Sequence, residues 1–145
     1  MDKPLDLVEF ETMLLGRYTL VTRTSRTLDR SAYTLLSRLR DQESMSIGQL
    51  SEALGLEAST LRRQTAAMMR DGLIERIPDP DGGMARRFRV TPEGERQLDN
   101  ERSENIKALE VTMAGWSPED VAAFAGYLRR FNTDIEHMTG RPWPR

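Results

Sequence analysis

Two helix patterns that meet at one glycine constrain the fold of this chain more than any other feature. In "SMSIGQLSEALGLEASTLRR", residues 44–63, Ser46 and Gln49 have the spacing of a capping box, which predicts a helix start. Gly55 is the residue type that ends a helix in the left-handed conformation. A second helix pattern begins two or three residues later. The two predicted helices must therefore turn on each other, as in a helix-turn-helix.

The second of these helices has a polar outer face that carries arginines. Leu61, Thr65 and Met68 fall on its inward side by helical spacing. A helix that enters the major groove of DNA needs short side chains near its N-terminus and arginines that reach bases or phosphates. The outward residues of these types are Ser59, Thr60, Arg62 and Arg63. They predict a DNA-binding face, and the alternative is a solvated face on an ordinary helical bundle.

After Gly72 the spacing of apolar residues changes from three and four to alternation. The segments "LIERIP" and "MARRFRV" predict two strands, and the turn residues "DPDGG" lie between them. A β-hairpin directly after a helix-turn-helix is a wing. Arg86, Arg87 and Arg89 are spaced to contact phosphates or the neighbouring minor groove.

Further helices are predicted on both sides of this unit. Residues 5–24 predict a first amphipathic helix, with Leu7, Phe10, Leu14, Tyr18 and Val21 as its buried stripe. Asp29 or Ser31 is expected to cap a second, whose apolar face is Tyr33, Leu36 and Leu39. Thr91 and Pro92 begin a long helix that runs toward Met113, and Ser117 and Pro118 begin the last one. The fold class is therefore mainly α, with a small two-stranded wing.

The last helix has the most regular apolar pattern in the chain. Its seam repeats at steps of three and four like a coiled coil and consists of Val121, Phe124, Leu128, Phe131, Ile135 and Met138. A chain of 145 residues whose other helices are already used cannot cover this seam by itself. We therefore expect these residues to form an interface with a partner.

Composition excludes several classes of chemistry. The chain has no cysteine, so disulfides, thiolate metal sites and thiol redox sensing are excluded, and His137 is its one histidine. No acid-base set or phosphate-binding loop is present, and "DPDGG" lacks the later acidic ligands of a calcium loop. We expect no catalysis, cofactor or metal. An acidic N-terminus and the lack of long apolar runs predict a cytoplasmic protein without a membrane segment.

Residues 29–98 resemble the winged helix-turn-helix of the MarR (multiple antibiotic resistance regulator) family. The resemblance is most specific in "IGQLSEALGL", "STLRR", "RDGLIERIPDPD" and "RVTPEG", and the order of helices extends it over nearly the whole chain. It implies a DNA-binding lobe over 29–91, with Ser59, Thr60 and Arg63 facing the major groove. It also implies homodimerisation through helices in 1–25 and 92–145.

The resemblance implies two further sites. Asp81 takes the position of the acidic residue that braces the wing. A pocket for a small phenolic or lipophilic ligand is implied near Phe10, Met13, Tyr18 and Trp116, and the alternative for these four residues is core packing.

Two positions depart from the family pattern. Gly82, Gly83 and Met84 follow Asp81 where the family has an arginine two residues on, so Arg86 and Arg87 are the expected substitutes. Glu57 stands where a capping serine or threonine is expected.

We expect a sequence-specific transcriptional regulator that binds a near-palindromic operator in double-stranded DNA as a homodimer. The alternative is a winged-helix dimer that binds a protein partner and does not read DNA. Its motivation is the missing wing arginine and the net charge of −2. Positive charge is nevertheless in excess in two segments: residues 21–41 hold five arginines against two acidic residues, and residues 57–91 hold seven arginines against five acidic residues.

Overall fold

The computed structural model describes residues 2–18 and 28–145. This part of the chain forms six helices and one β-hairpin. Their order is α1 (Leu5–Leu15), α2 (Arg30–Asp41), α3 (Ile47–Leu54), α4 (Ala58–Arg70), β1 (Ile74–Ile77), β2 (Arg87–Val90), α5 (Pro92–Thr112) and α6 (Pro118–Thr139). The predicted class, a mainly helical winged helix-turn-helix, is confirmed.

The helix-turn-helix forms as its local chemistry predicts. The Ser46 hydroxyl accepts from the Gln49 amide, and the Gln49 side chain accepts from the Ser46 amide, which completes the capping box. Gly55 ends α3 at φ 67°, in the left-handed region that favours glycine. Glu57 begins α4 without a side-chain capping bond. The close spacing of the two helices therefore follows from Gly55.

One apolar core joins α2, α3, α4, the hairpin and the first half of α5. Its buried hydrophobic residues are Leu28, Leu35, Leu36, Leu39, Met45, Leu50, Leu61, Met68, Leu73, Ile74, Phe88 and Leu98. Leu61, Thr65 and Met68 are the buried residues of α4, as predicted. On α2 the buried residues are Leu35, Leu36 and Leu39. The predicted face therefore lacked Leu35, and its third member, Tyr33, is only half-buried.

The hairpin is antiparallel, with Ile74 opposite Val90 and Arg76 opposite Phe88. Its base is joined to α5 by hydrogen bonds from Thr91, whose amide donates to the Leu73 carbonyl and whose hydroxyl donates to the Gly72 carbonyl. The same hydroxyl caps α5 by accepting from the Gly94 amide. The wing and α5 are therefore fixed to each other at this point.

An ion cluster makes a second connection to α5. Arg40 on α2 places a guanidinium nitrogen 2.6 Å from Asp99 and 3.5 Å from Glu95, both on α5. The hydrogen bond to Asp99 is the main reason that the pKa of Arg40 is raised above its ordinary value. The side chain is partly exposed, so this cluster orients α2 on α5 more than it stabilises the fold.

The first helix differs from the prediction of a helix over 5–24. It ends at Leu15, after which the Arg17 and Tyr18 amides donate to the Leu14 and Leu15 carbonyls, three residues back, in a tight final turn. Val21 lies outside the described residues. No residue of α1 or α6 is buried in the single chain, so the buried stripe expected on α1 is absent there.

Candidate nucleic-acid interface

The outer face of α4 is free of intramolecular partners among the described residues. Ser59, Arg62 and Arg63 are exposed and Thr60 is half-buried. None of the four side chains has a hydrogen bond or ion pair within residues 2–18 and 28–145. Guanidinium groups left in water by the fold keep their donors available for an external acceptor.

The inner face of α4 holds this surface in position. Thr65 is buried and its hydroxyl donates to the Leu61 carbonyl at 2.8 Å, so a polar residue is satisfied within the helix itself. Leu61 is fully buried in the core and Met68 is nearly so. The DNA-binding candidates therefore project from a rigid element, not from a loop.

The predicted wing arginines lie in different environments. Arg86 is exposed, with no described partner. Arg87 places Nε 3.4 Å from Asp79 Oδ1 and a terminal nitrogen 3.8 Å from Asp81 Oδ2. Arg89 pairs with Glu75, its cross-strand neighbour. Among the described residues, Arg86 is thus the one of these three arginines without an acidic partner, and its charge is available to a ligand.

The wing turn is organised around Asp79. Its Oδ1 accepts from the Asp81 amide at 2.9 Å, and its carbonyl accepts from the Gly82 amide at 3.0 Å. The Asp79 side chain is 14% exposed, whereas that of Asp81 is 86% exposed. Asp79 therefore makes the closer contact with Arg87, and the assignment of Asp81 as the brace stays a prediction.

Both glycines of the turn are explained by this geometry. Gly82 has φ 83°, in the left-handed region. A Cβ on Gly83 would lie 2.3 Å from Asp79 Oδ2. The glycines that replace the family's arginine position thus permit a tight turn closed on Asp79.

A groove of about 560 Å³ separates α4 from the wing. Arg62 from α4, Arg76 from β1 and Arg86 from the wing line it, together with the first residues of α3. The Arg76 guanidinium lies 5.7 Å from the centre of the Phe88 ring. Sequence reasoning missed Arg76, and the signal that identifies it is its register opposite Phe88. Three cations on one concave surface attract a polyanion.

The residues expected at the interface and the ligand pocket are exposed in the single chain. On α6 the seam residues Val121, Phe124, Leu128, Phe131 and Ile135 are 37–47% exposed, and Met138 is more exposed still. The predicted pocket residues Phe10, Met13, Tyr18 and Trp116 are 41–51% exposed. Trp116 packs against Phe124 with ring centres 5.5 Å apart. An apolar surface of this extent is typical of a protein interface.

Residues 2–18 and 28–145 contain neither a candidate metal site nor a candidate membrane-spanning helix. No cluster of three or more histidine and acidic residues has the arrangement of a metal site. No helix combines the length and the apolar character needed to cross a membrane.

The fold and the cationic face of α4 together define a winged helix-turn-helix DNA-binding protein. A sequence model of the MarR family matches residues 28–82. The chain is 30% identical to the uncharacterized HTH-type transcriptional regulator YxaD of Bacillus subtilis (strain 168) over 133 residues. The aligned region covers 89% of this chain and 93% of YxaD. The chain belongs to the MarR family of transcriptional regulators.

Solved structures have the same fold. A MarR family protein from Bacillus stearothermophilus superposes with a TM-score of 0.75 over 93% of this chain and 99% of its own, at 22% identity. The PcaV transcriptional regulator from Streptomyces coelicolor, solved in complex with its natural ligand, gives 0.62 over 86% of this chain and 89% of its own, at 23% identity. At these identities the similarity establishes the fold alone.

Proposed function

We propose that the chain is a homodimeric, sequence-specific DNA-binding regulator of a near-palindromic operator. The observation that carries this proposal is the outer face of α4, where Arg62 and Arg63 have no partner among the described residues. Arg62 also lines the groove that holds Arg76 and Arg86. In this arrangement α4 lies in the major groove, and Ser59 and Thr60 allow its N-terminus to approach the bases.

The dimer brings two such faces to one duplex. We assign helices within residues 1–25 and 92–145 to dimerisation and residues 29–91 to the DNA-binding lobe. Support comes from the apolar exposure of α1 and α6, which bury nothing in the single chain. Two recognition helices related by a two-fold axis read half-sites about one helical turn apart, so the operator is a near-palindrome.

A regulatory ligand fits the same architecture. We assign it to the junction near Phe10, Met13, Tyr18 and Trp116, with phenolic or lipophilic chemistry, and the natural ligand bound to PcaV supports a ligand for this chain. Such a ligand regulates only if it binds one dimer shape better than another. Thermal unfolding with and without 4-hydroxybenzoate as a phenolic probe tests the assignment, since binding to the folded dimer raises Tm.

DNA binding is tested with the purified protein and the DNA that flanks its own gene, across a salt series. Binding through several phosphates weakens steeply as salt rises. We expect Arg63→Ala to lose preference for one sequence by about 1 to 3 kcal/mol, and Arg86→Ala to weaken binding to all sequences alike. Arg102→Ala is the matched control, because Arg102 is an exposed arginine on α5. No binding at low salt by a folded dimer would overturn the proposal and favour a protein partner.

Dimerisation has its own test. Phe131→Glu places a charge in the α6 seam, and we expect a monomer by light scattering and a loss of operator affinity. Thr133→Glu introduces the same charge on the opposite side of α6, where it should leave the dimer intact. A dimeric Phe131→Glu variant would assign the interface elsewhere.

A further inference from the structure

The segment after α6 returns to the DNA-binding lobe of its own chain. Gly140 ends the helix at φ 68°, and the Arg141 amide donates to the Glu136 carbonyl, so the chain reverses at this point. Residues 140–145, called here the latch segment, then run against α2 and the helix-turn-helix. Every residue of α6 is exposed except Glu136, which is half-buried. The latch segment therefore makes the contacts that bring α6 to the lobe.

Glu136 fixes the latch segment to α6. One carboxylate oxygen accepts from the Trp143 amide at 2.6 Å, and the other accepts from the Arg145 guanidinium. Both oxygens of one carboxylate are thus used by residues seven and nine positions later. Charge-assisted bonds of this kind hold the backbone of the segment in one geometry.

The lobe holds the other side of the latch segment. Arg38 on α2 donates to the Pro142 carbonyl at 3.3 Å, and its guanidinium lies 5.3 Å from the centre of the Trp143 ring. Its Nε is buried and has no hydrogen-bond partner among the described residues. The guanidinium of Arg141 packs against Gly55, within 3.0 Å of where a Cβ would stand. The contacts therefore reach the turn between α3 and α4.

We propose that the latch segment positions the DNA-binding lobe on α6 and so sets the separation of the two recognition helices in the dimer. This inference rests on the proposed homodimeric DNA binder. The positioning residues of the latch are Glu136, Trp143 and Arg38, which lie on α6, the latch segment and α2 and not on the outer face of α4. When the latch segment is released, the lobe loses its contacts with residues 140–145, and the separation of the α4 helices becomes variable. A contact between the lobe and a dimer helix is a place where a small change is converted into a change of half-site spacing.

The separation of the two α4 helices can be measured in the free protein with spin labels. The chain has no cysteine, so a single introduced cysteine is the one site that a thiol-specific label modifies. Glu57→Cys introduces one thiol per chain at the exposed start of α4, where Glu57 makes no capping bond. Nitroxide labels there give one distance distribution between the two recognition helices by pulsed electron resonance. We expect a narrow distribution for this protein and a wider one when Glu136→Ala or Trp143→Ala is added. Asp134→Ala, which removes an exposed carboxylate from the same helix, is the control.

A DNA readout complements the distance measurement. In duplexes with two operator half-sites, each added base pair moves one half-site by about 3.4 Å and rotates it by about 35°. We expect a sharp optimum for the unaltered protein. The Glu136→Ala and Trp143→Ala variants should lose about 5-fold or more in affinity at that optimum and flatten the profile, with the salt slope unchanged.

The outcomes separate the two proposals. Unchanged distance distributions and spacing profiles in both variants, with dimers intact by light scattering, would overturn the latch proposal alone. A labelled parent without dipolar coupling would be a monomer, which contradicts the homodimer. A coupled dimer that binds no DNA would overturn the proposed function, and the distance distributions would still decide the latch proposal.

Discussion

Asp79, and not Asp81, lies closer to Arg87 in the wing: its Oδ1 is 3.4 Å from Arg87 Nε, and the same oxygen accepts from the Asp81 amide. We expect Asp79→Ala to destabilise the protein by about 1 to 2 kcal/mol, because it removes a turn hydrogen bond and leaves Arg87 half-buried without its main partner. Asp81→Ala should change stability by about 0.5 kcal/mol or less. Urea unfolding of both variants checks this, and a larger loss for Asp81→Ala would assign the brace to Asp81.

Gly94 is required where α5 meets the wing. A Cβ there would lie 2.1 Å from the Leu73 carbonyl oxygen and 2.7 Å from Val90 Cγ1. Because the first contact is with backbone, we expect Gly94→Ala to cost about 1 to 3 kcal/mol. Gly48→Ala is the control, since its nearest contact would be Ser46 Oγ at 3.9 Å and alanine favours the helix. Equal thermal stabilities of the two variants would contradict this account.

Local chemistry made the helix-turn-helix predictable. Each of its signals acts within a few residues of the chain, so spacing alone identifies it. These signals are the capping pair Ser46 and Gln49, the helix end at Gly55, and the buried face Leu61, Thr65 and Met68. The end of α1 was mispredicted because apolar spacing continues past Gly16, while the helix does not.

The remaining features depend on contacts between distant parts of the chain. Arg76 belongs to the groove because the strand register places it opposite Phe88. Arg89 is paired because the same register places Glu75 opposite it. The latch segment contacts Arg38, which lies 104 residues before Pro142. No periodicity in the sequence predicts such a contact.

Arg76 should contribute to DNA affinity without contributing to sequence preference. It lines the groove beside Arg62 and Arg86, where a phosphate is the expected acceptor. We expect Arg76→Ala to weaken binding to all sequences alike and to reduce the slope of log K against log salt by about 1. Arg89→Ala should have a smaller effect, because Glu75 already neutralises that charge. Titrations at several salt concentrations check this, and a larger slope change for Arg89 would place DNA on the opposite face of the hairpin.

The latch segment should detach at acid pH. The Trp143 amide, followed by the Arg145 charge, holds the pKa of Glu136 below its ordinary value of 4.5. A lowered pKa means that ionised Glu136 favours the docked segment. This contribution is complete above the ordinary value and is lost as the pH falls through the docked value.

Fluorescence of Trp143 in a Trp116→Phe background follows this transition. We expect a red shift as the pH falls below about 4.5, while circular dichroism shows that the helices remain. The charged groups that face the segment are Arg38 and Glu52 on the lobe, Arg87 on the wing and Glu136 on α6, so a variant of Glu136 is needed to identify the titrating group. Glu136→Gln keeps an acceptor for the Trp143 amide and cannot ionise, so its emission should be independent of pH over the same range. An identical red shift in Glu136→Gln would assign the transition to another carboxylate and remove Glu136 from the latch.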